Sequence, residues 1–243
     1  MNCPYNLNPV KYLRFISRKA DWNSRWRLPI HLIGKRTFKG FSIVSCGTVR
    51  REIEQLKEEG FLDADRLFFT TPGLHELPKE LENQLVRQVL KAKSLSGKVI
   101  VLYGDRCFVD SSDYYRGIDT VLAEQGDGIV RVRAHNCIDM LASGDEREAM
   151  ADGREAYWLV PGWIEFRKYV FLEWDTGKAN ETFPANDLAI LLDPLGYYER
   201  LAMENPEEIL EFSDWMGISI EPRAISLDHL KGLLSDCAQE LIN

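Results

Sequence analysis

Gly128-Ile-Val-Arg-Val-Arg-Ala-His-Asn-Cys-Ile-Asp-Met-Leu141 is the stretch on which the reading of the chain turns. Its β-branched run, Ile129 to Val132, predicts a strand. His135 and Cys137 follow within a few residues and lead into an apolar helical turn. Two other stretches repeat the plan: Phe41-Ser-Ile-Val-Ser45 runs straight into Cys46, and Val99-Ile-Val-Leu-Tyr103 runs through Gly104-Asp105-Arg106 into Cys107. Each of these thiols stands just past the carboxyl end of an expected strand. In an open parallel α/β sheet those ends line the crevice that holds ligands.

Outward from these stretches, strands and helices alternate through most of the chain. Arg66 to Thr70, Tyr157 to Val160 and Asp187 to Leu192 read as further strands, with Ile218 to Ile220 as a short last one. Lys98 to Tyr103 carries a continuous apolar run, as in a strand covered on both faces. Leu77, Leu81, Leu85 and Val89 share one face of a helix that starts near Pro78. Asn205-Pro206-Glu207-Glu208 opens another, with a cap, a first-turn proline and acids toward the positive end of the helix dipole. The alternation predicts an α/β domain over residues 41–243: a doubly wound, mostly parallel sheet with helices on both faces. Residues 1–40 show no clean period and read as a basic N-terminal appendage.

The chain has 243 residues, enough for one large domain with a real core. Its net charge of −8 argues against nucleic acid as the main partner. The charge is uneven: residues 1–40 hold nine Lys and Arg against the single acid Asp21, about +8, which leaves about −16 on the remainder. The arm also carries Trp22, Trp26, Tyr5, Tyr12 and Phe15. It is expected to pack on its own acidic body or to pair subunits in a homo-oligomer. No apolar run approaches the roughly 20 residues of a membrane span, and Met1-Asn-Cys-Pro-Tyr-Asn lacks an apolar signal core. A cytoplasmic protein without a membrane partner is expected. Its five cysteines are scattered singly, which fits reduced thiols better than a disulfide framework.

Cys237 shares an apolar helical face with Leu230 and Leu234 and reads as core, while Cys3 lies in the arm and receives no role. Cys46, Cys107 and Cys137, with His135 as a candidate fourth ligand, suit a soft or borderline metal, zinc or an iron–sulfur centre. No Cys-x-x-Cys pair occurs. His135 equally fits a base beside a Cys nucleophile, or a structural cap of the turn. Tyr103 and Gly104 mark tight backbone approach beside a site, or merely a turn. Pro161-Gly162-Trp163 starts a helix at the same edge, where free N–H groups hold anions. Tyr103, Gly104, His135, Pro161, Gly162 and Trp163 are therefore the candidate cofactor-binding residues. Asp193 either lines the same edge or caps the next helix. The chain has no Gly-x-x-x-x-Gly-Lys-Ser/Thr, Gly-x-Gly-x-x-Gly, His-Glu-x-x-His or Gly-x-Ser-x-Gly motif, which lowers nucleotide and serine-hydrolase readings.

The ordered set Cys46-Gly47 before a Glu52-bearing helix, Tyr103-Gly104 with Cys107, Arg133-Ala-His-Asn-Cys137-Ile138 and Pro161-Gly162-Trp163-Ile164 resembles the bacterial and archaeal family catalogued as domain of unknown function 1638. The resemblance covers roughly residues 41–235. The family pattern Tyr-Gly-x-Cys-Gly here reads Tyr103-Gly104-Asp105-Arg106-Cys107-Phe108, with one residue more and no following glycine. The resemblance implies no established activity; it implies an association with anaerobic and corrinoid-dependent methyl-transfer metabolism.

The expected function is thus binding of a metal or metallocofactor (zinc, iron–sulfur or a corrinoid) in an accessory role in methyl-transfer or redox metabolism. The alternatives are a cysteine-dependent enzyme acting on a small molecule and a non-catalytic interaction module.

Overall fold

A computed structural model describes residues 37–110, 113 and 115–243. Residues 1–36 lie outside it, so the expectations for most of the basic arm, its pairing of subunits and Cys3 fall outside the described residues. Thr37–Asn243 form one unit, and Phe38 is already fully buried in its core.

The α/β reading holds, and every strand pairing among the described residues is parallel. The strands divide between two sheets rather than forming one. The first has the order β2-β1-β3-β4: Arg66–Thr70, Phe41–Cys46, Lys98–Leu102 and Ile129–Arg131. In its register, Ile43 stands opposite both Leu67 and Ile100, and Ile100 opposite Val130. Side chains alternate across this sheet, as a pleated strand requires. Ile43, Ile100 and Leu102 enter one core, while Val44, Val99, Val101 and Tyr103 enter another. Helix α1 (Arg50–Glu58) lends Ile53 and Leu56 to the first core. Helices α2 (Pro78–Leu95) and α3 (Ile118–Ala123) fill the second with Leu81, Leu85, Val89, Val121 and Leu122.

After β4 the chain makes α4 (Cys137–Leu141) and α5 (Gly144–Ala151), the latter opened by a capping box between Ser143 and Glu146. The second sheet then follows with the order β5-β6-β7: Ala156–Leu159, Leu188–Asp193 and Ile220–Ala224. Its connections are α6 (Pro161–Glu165), α7 (Arg167–Val170), α8 (Thr176–Thr182), α9 (Tyr197–Glu204) and α10 (Pro206–Met216). They bury an aromatic cluster in which Phe171 lies 5.8 Å from Phe183 and 5.1 Å from Trp215, ring centre to ring centre.

Two features join the halves. Helix α11 (Asp228–Glu240) leaves β7 and returns to β3, β4 and α4 of the first half. Its Leu230, Leu234 and Cys237 share one core with Ile43, Ile100, Val160 and Leu192. Second, α6 packs against the 3₁₀ turn Gly47–Val49 that follows β1. A methyl group on Gly162 would overlap the carbonyl oxygen of Thr48. The Gly162→Ala variant should therefore lose roughly 1–3 kcal/mol of stability, the usual cost of overpacking. Urea denaturation checks this, and an unchanged midpoint would contradict the close approach.

Candidate functional site

Neighbouring strands in the first sheet bring their following loops together. Cys46 is the last residue of β1. Cys107 closes the 3₁₀ turn Asp105–Cys107 after β3. Cys137 is the first residue of α4, where the Asn136 side chain caps the helix by accepting the N–H of Asp139 at 3.0 Å. Because β1, β3 and β4 lie side by side, all three cysteines line one cavity of about 220 Å³. Tyr103 and Thr48 line it from the sheet edge and Trp163 from α6.

The loops after β3 and β4 are fastened to each other. The N–H groups of Asp105 and Arg106 donate to the carbonyls of Ala134 and His135, both at 3.1 Å. This needs Gly104, since a side chain there would overlap the His135 backbone. Arg131 completes the attachment. Its Nη1 donates to the carbonyls of Tyr103, Val132 and Ala134 at 3.1, 2.8 and 3.1 Å. The other edge of the guanidinium holds Asp119 at 2.6 and 3.0 Å.

Burial dominates the electrostatics of the thiols. It pushes Cys107 up to about 12, with the nearby Cys46 as the next cause. It also holds Cys137 well above the ordinary thiol value, with Cys107 and Cys46 adding to the shift and a hydrogen bond with Trp163 opposing it. Tyr103 is raised by burial too, and its hydroxyl is bonded to Thr70. Cys46 donates to the Thr48 hydroxyl at 3.2 Å. These cysteines and Cys237 are free thiols. Cys237 is buried in the core, as its helical face predicts.

The residues predicted as a site separate into distinct groups. Cys46, Cys107, Cys137, Tyr103 and Trp163 line the cavity. Gly104, Pro161 and Gly162 position backbone beside it, and the two latter are buried. His135 does not line it. Its side chain is 57% exposed, and its Nδ1 lies 2.9 and 3.0 Å from the Asp105 carboxylate. Among the described residues no group of three or more His, Cys, Asp or Glu side chains stands at a spacing that could hold a metal ion. Asp193 accepts the N–H groups of Leu195, Tyr197 and Tyr198, so it caps α9.

Residues 69–234 match the family described as Protein of unknown function (DUF1638). The chain belongs to that family. No curated protein and no solved structure matches it. The DUF1638 match takes in Tyr103, Cys107, Cys137 and Trp163 and begins after Cys46.

Two residues of this DUF1638 chain were not among the predicted site residues: His75 went unread, and Glu52 entered only as part of the family pattern. His75 lines the cavity from the turn Leu74–Glu76 and, with its side chain 41% exposed, stands at the mouth. Its signal was available: it follows the carboxyl end of β2 as the cysteines follow theirs. Burial lowers its pKa, against the opposing charge of Glu76. Glu52 is almost fully buried in the first turn of α1, and its Oε2 has no hydrogen-bond partner. Burial raises its pKa to about 7, its own backbone N–H and Arg51 oppose the shift, and Asp193 and Glu165 add to it.

Glu52 therefore binds a proton in the folded state that the unfolded chain has already released. Stability should fall as pH rises from the ordinary carboxyl range to about 7, and stay low above it. Glu52→Gln should exceed wild type at about pH 8 by up to roughly 3 kcal/mol, and by little at about pH 4. Denaturation of both proteins at the two pH values checks this. Equal stabilities at the higher value would show that the carboxyl is not penalised.

Proposed function

We propose that the protein binds a thiolate-held metal centre through Cys46, Cys107 and Cys137, an iron–sulfur cluster before a single zinc ion. The supporting observation is that loops after three separate strands bring these thiols to one cavity. Thiolates on one zinc ion lie about 3.5–4 Å apart, given Zn–S bonds of about 2.3 Å. The described side chains are not gathered at single-ion spacing. In a four-iron cluster each thiolate ligates a different iron, so the sulfurs stand further apart than on one ion.

At about 220 Å³ the cavity lies below the roughly 300–1,000 Å³ that houses drug-sized ligands. That favours a small cluster over a whole corrinoid in the cavity. A cluster still serves corrinoid-dependent methyl transfer or redox metabolism, as an accessory in the cytoplasm that passes single electrons. The thiol-enzyme reading is weaker, because a nucleophilic cysteine needs a lowered pKa and burial drives Cys107 and Cys137 the other way.

Reconstitution of the full chain under anaerobic conditions with iron and sulfide tests the proposal. The expected result is stoichiometric iron and sulfide with charge-transfer absorption in the visible, lost when any of the three cysteines becomes Ser. Protein that retains neither element sinks it. Binding must also displace protons. Cys107 and Cys137 are protonated at neutral pH, so apparent affinity should rise with pH by about two logarithmic units per pH unit. Reconstitution with iron and sulfide at several pH values measures that slope, and a pH-independent yield at limiting iron would contradict thiolate ligation.

A further inference from the structure

We propose that the metal-free chain binds a small monocarboxylic acid with an apolar body, of the size of an aromatic acid, in the cavity that Arg106 lines. The inference goes beyond the reading above and takes no step through a metal.

The make-up of the cavity wall carries it. Leu74, Leu81, Leu102, Met140 and Trp163 present hydrocarbon, Arg106 presents a cation, and no carboxylate lines the space. Cys107 and Cys137 add no charge. Burial keeps both protonated at neutral pH, and a protonated cysteine packs as a small hydrophobe. Burial also favours the neutral imidazole of His75. The wall is thus an apolar surface with one guanidinium at its exposed side.

That guanidinium is available. Arg106 is exposed and makes no ion pair and no side-chain hydrogen bond among the described residues. Other arginines differ: Arg131 holds Asp119, Arg116 holds Glu82 and Glu124, and Arg133 holds Glu240. The acids next in sequence to the lining residues are otherwise placed. Asp105 engages His135 at 2.9 Å, and Glu76 stands 3.6 Å from His75. The backbone bond from Arg106 to the His135 carbonyl fixes the turn and leaves the side chain free. Asn136 adds a neutral donor, because its oxygen is committed to the α4 cap and its NH₂ group has no partner among the described residues.

Volume and charge select the ligand class. An apolar cavity of about 150 Å³ takes benzene. At about 220 Å³ this one has room for a six-membered ring and one carboxylate. A planar fork receives a carboxylate through two parallel hydrogen bonds. A neutral ring would leave Arg106 unused, and a phosphate would leave the hydrocarbon wall without a partner.

Calorimetric titration of the reduced, chelator-treated full chain with benzoate tests the inference. Benzamide supplies the shape without the charge, and acetate the charge without the body. Benzoate should bind at one site per chain, with benzamide and acetate each weaker by about tenfold or more. Arg106→Ala, an exposed change that leaves the core intact, should weaken benzoate by about tenfold or more and leave benzamide within about twofold, with Arg106→Lys between wild type and Ala. Saturating benzoate should also slow alkylation of Cys107 and leave Cys237 unchanged. No saturable binding up to about 10 mM overturns the inference. So does benzoate binding that is matched by benzamide or acetate, is unaltered in Arg106→Ala, or leaves Cys107 unprotected. No iron or zinc enters these measurements, so their outcome is separate from that of the reconstitution.

Discussion

The guanidinium of Arg131 is the contact on which the candidate site depends. It sits at the end of β4 and reaches three backbone carbonyls, one of them Tyr103 from the neighbouring strand. Asp119 balances its charge from the start of α3. Two turns are fixed by this arrangement: the one that carries Cys107 and the one that carries Cys137. Backbone hydrogen bonds already join the two turns, and Arg131 adds donors for carbonyls at the sheet edge, which must find partners. One arginine offers about five N–H donors, more than any other side chain.

The cavity so formed has a built-in electrostatic tension. Thiols are brought together in a buried space, and burial holds them protonated. Any one of them as a thiolate raises the cost of the next. A cation among them reverses that logic, because its charge stabilises every thiolate it touches. Burial of this kind makes Cys107 and Cys137 poor nucleophiles. Glu52 shows a related tension at the join between the halves, where a carboxyl without a full set of partners faces the charge of Asp193.

Much of the first sheet was legible in the sequence. Phe41 to Cys46 and Lys98 to Leu102 are buried along nearly their whole length, and their apolar runs announced that. The placement of cysteines just past the strand ends followed from local pattern alone. The division into two sheets was not legible, because a strand's partners are set by segments far along the chain and not by its own sequence. Gly104 and Gly162 stood out as glycines, yet the carbonyls they approach belong to residues far along the chain. His135 drew attention by its nearness to Cys137 in sequence, but the Asp105 carboxylate engages it outside the cavity. His75 carries no motif of its own, and only the fold brings its turn to the cavity. The value of Arg131 lies in contacts that no spacing reveals.

The central claim is that three thiols distant in sequence act as one ligand set. Site-resolved alkylation read by mass spectrometry, on chain loaded with iron and sulfide and on chain left unloaded, tests it most directly. The account predicts that Cys46, Cys107 and Cys137 lose reactivity together on loading, while Cys237 is unchanged. Loading that leaves any one of the three reacting at its unloaded rate would contradict it.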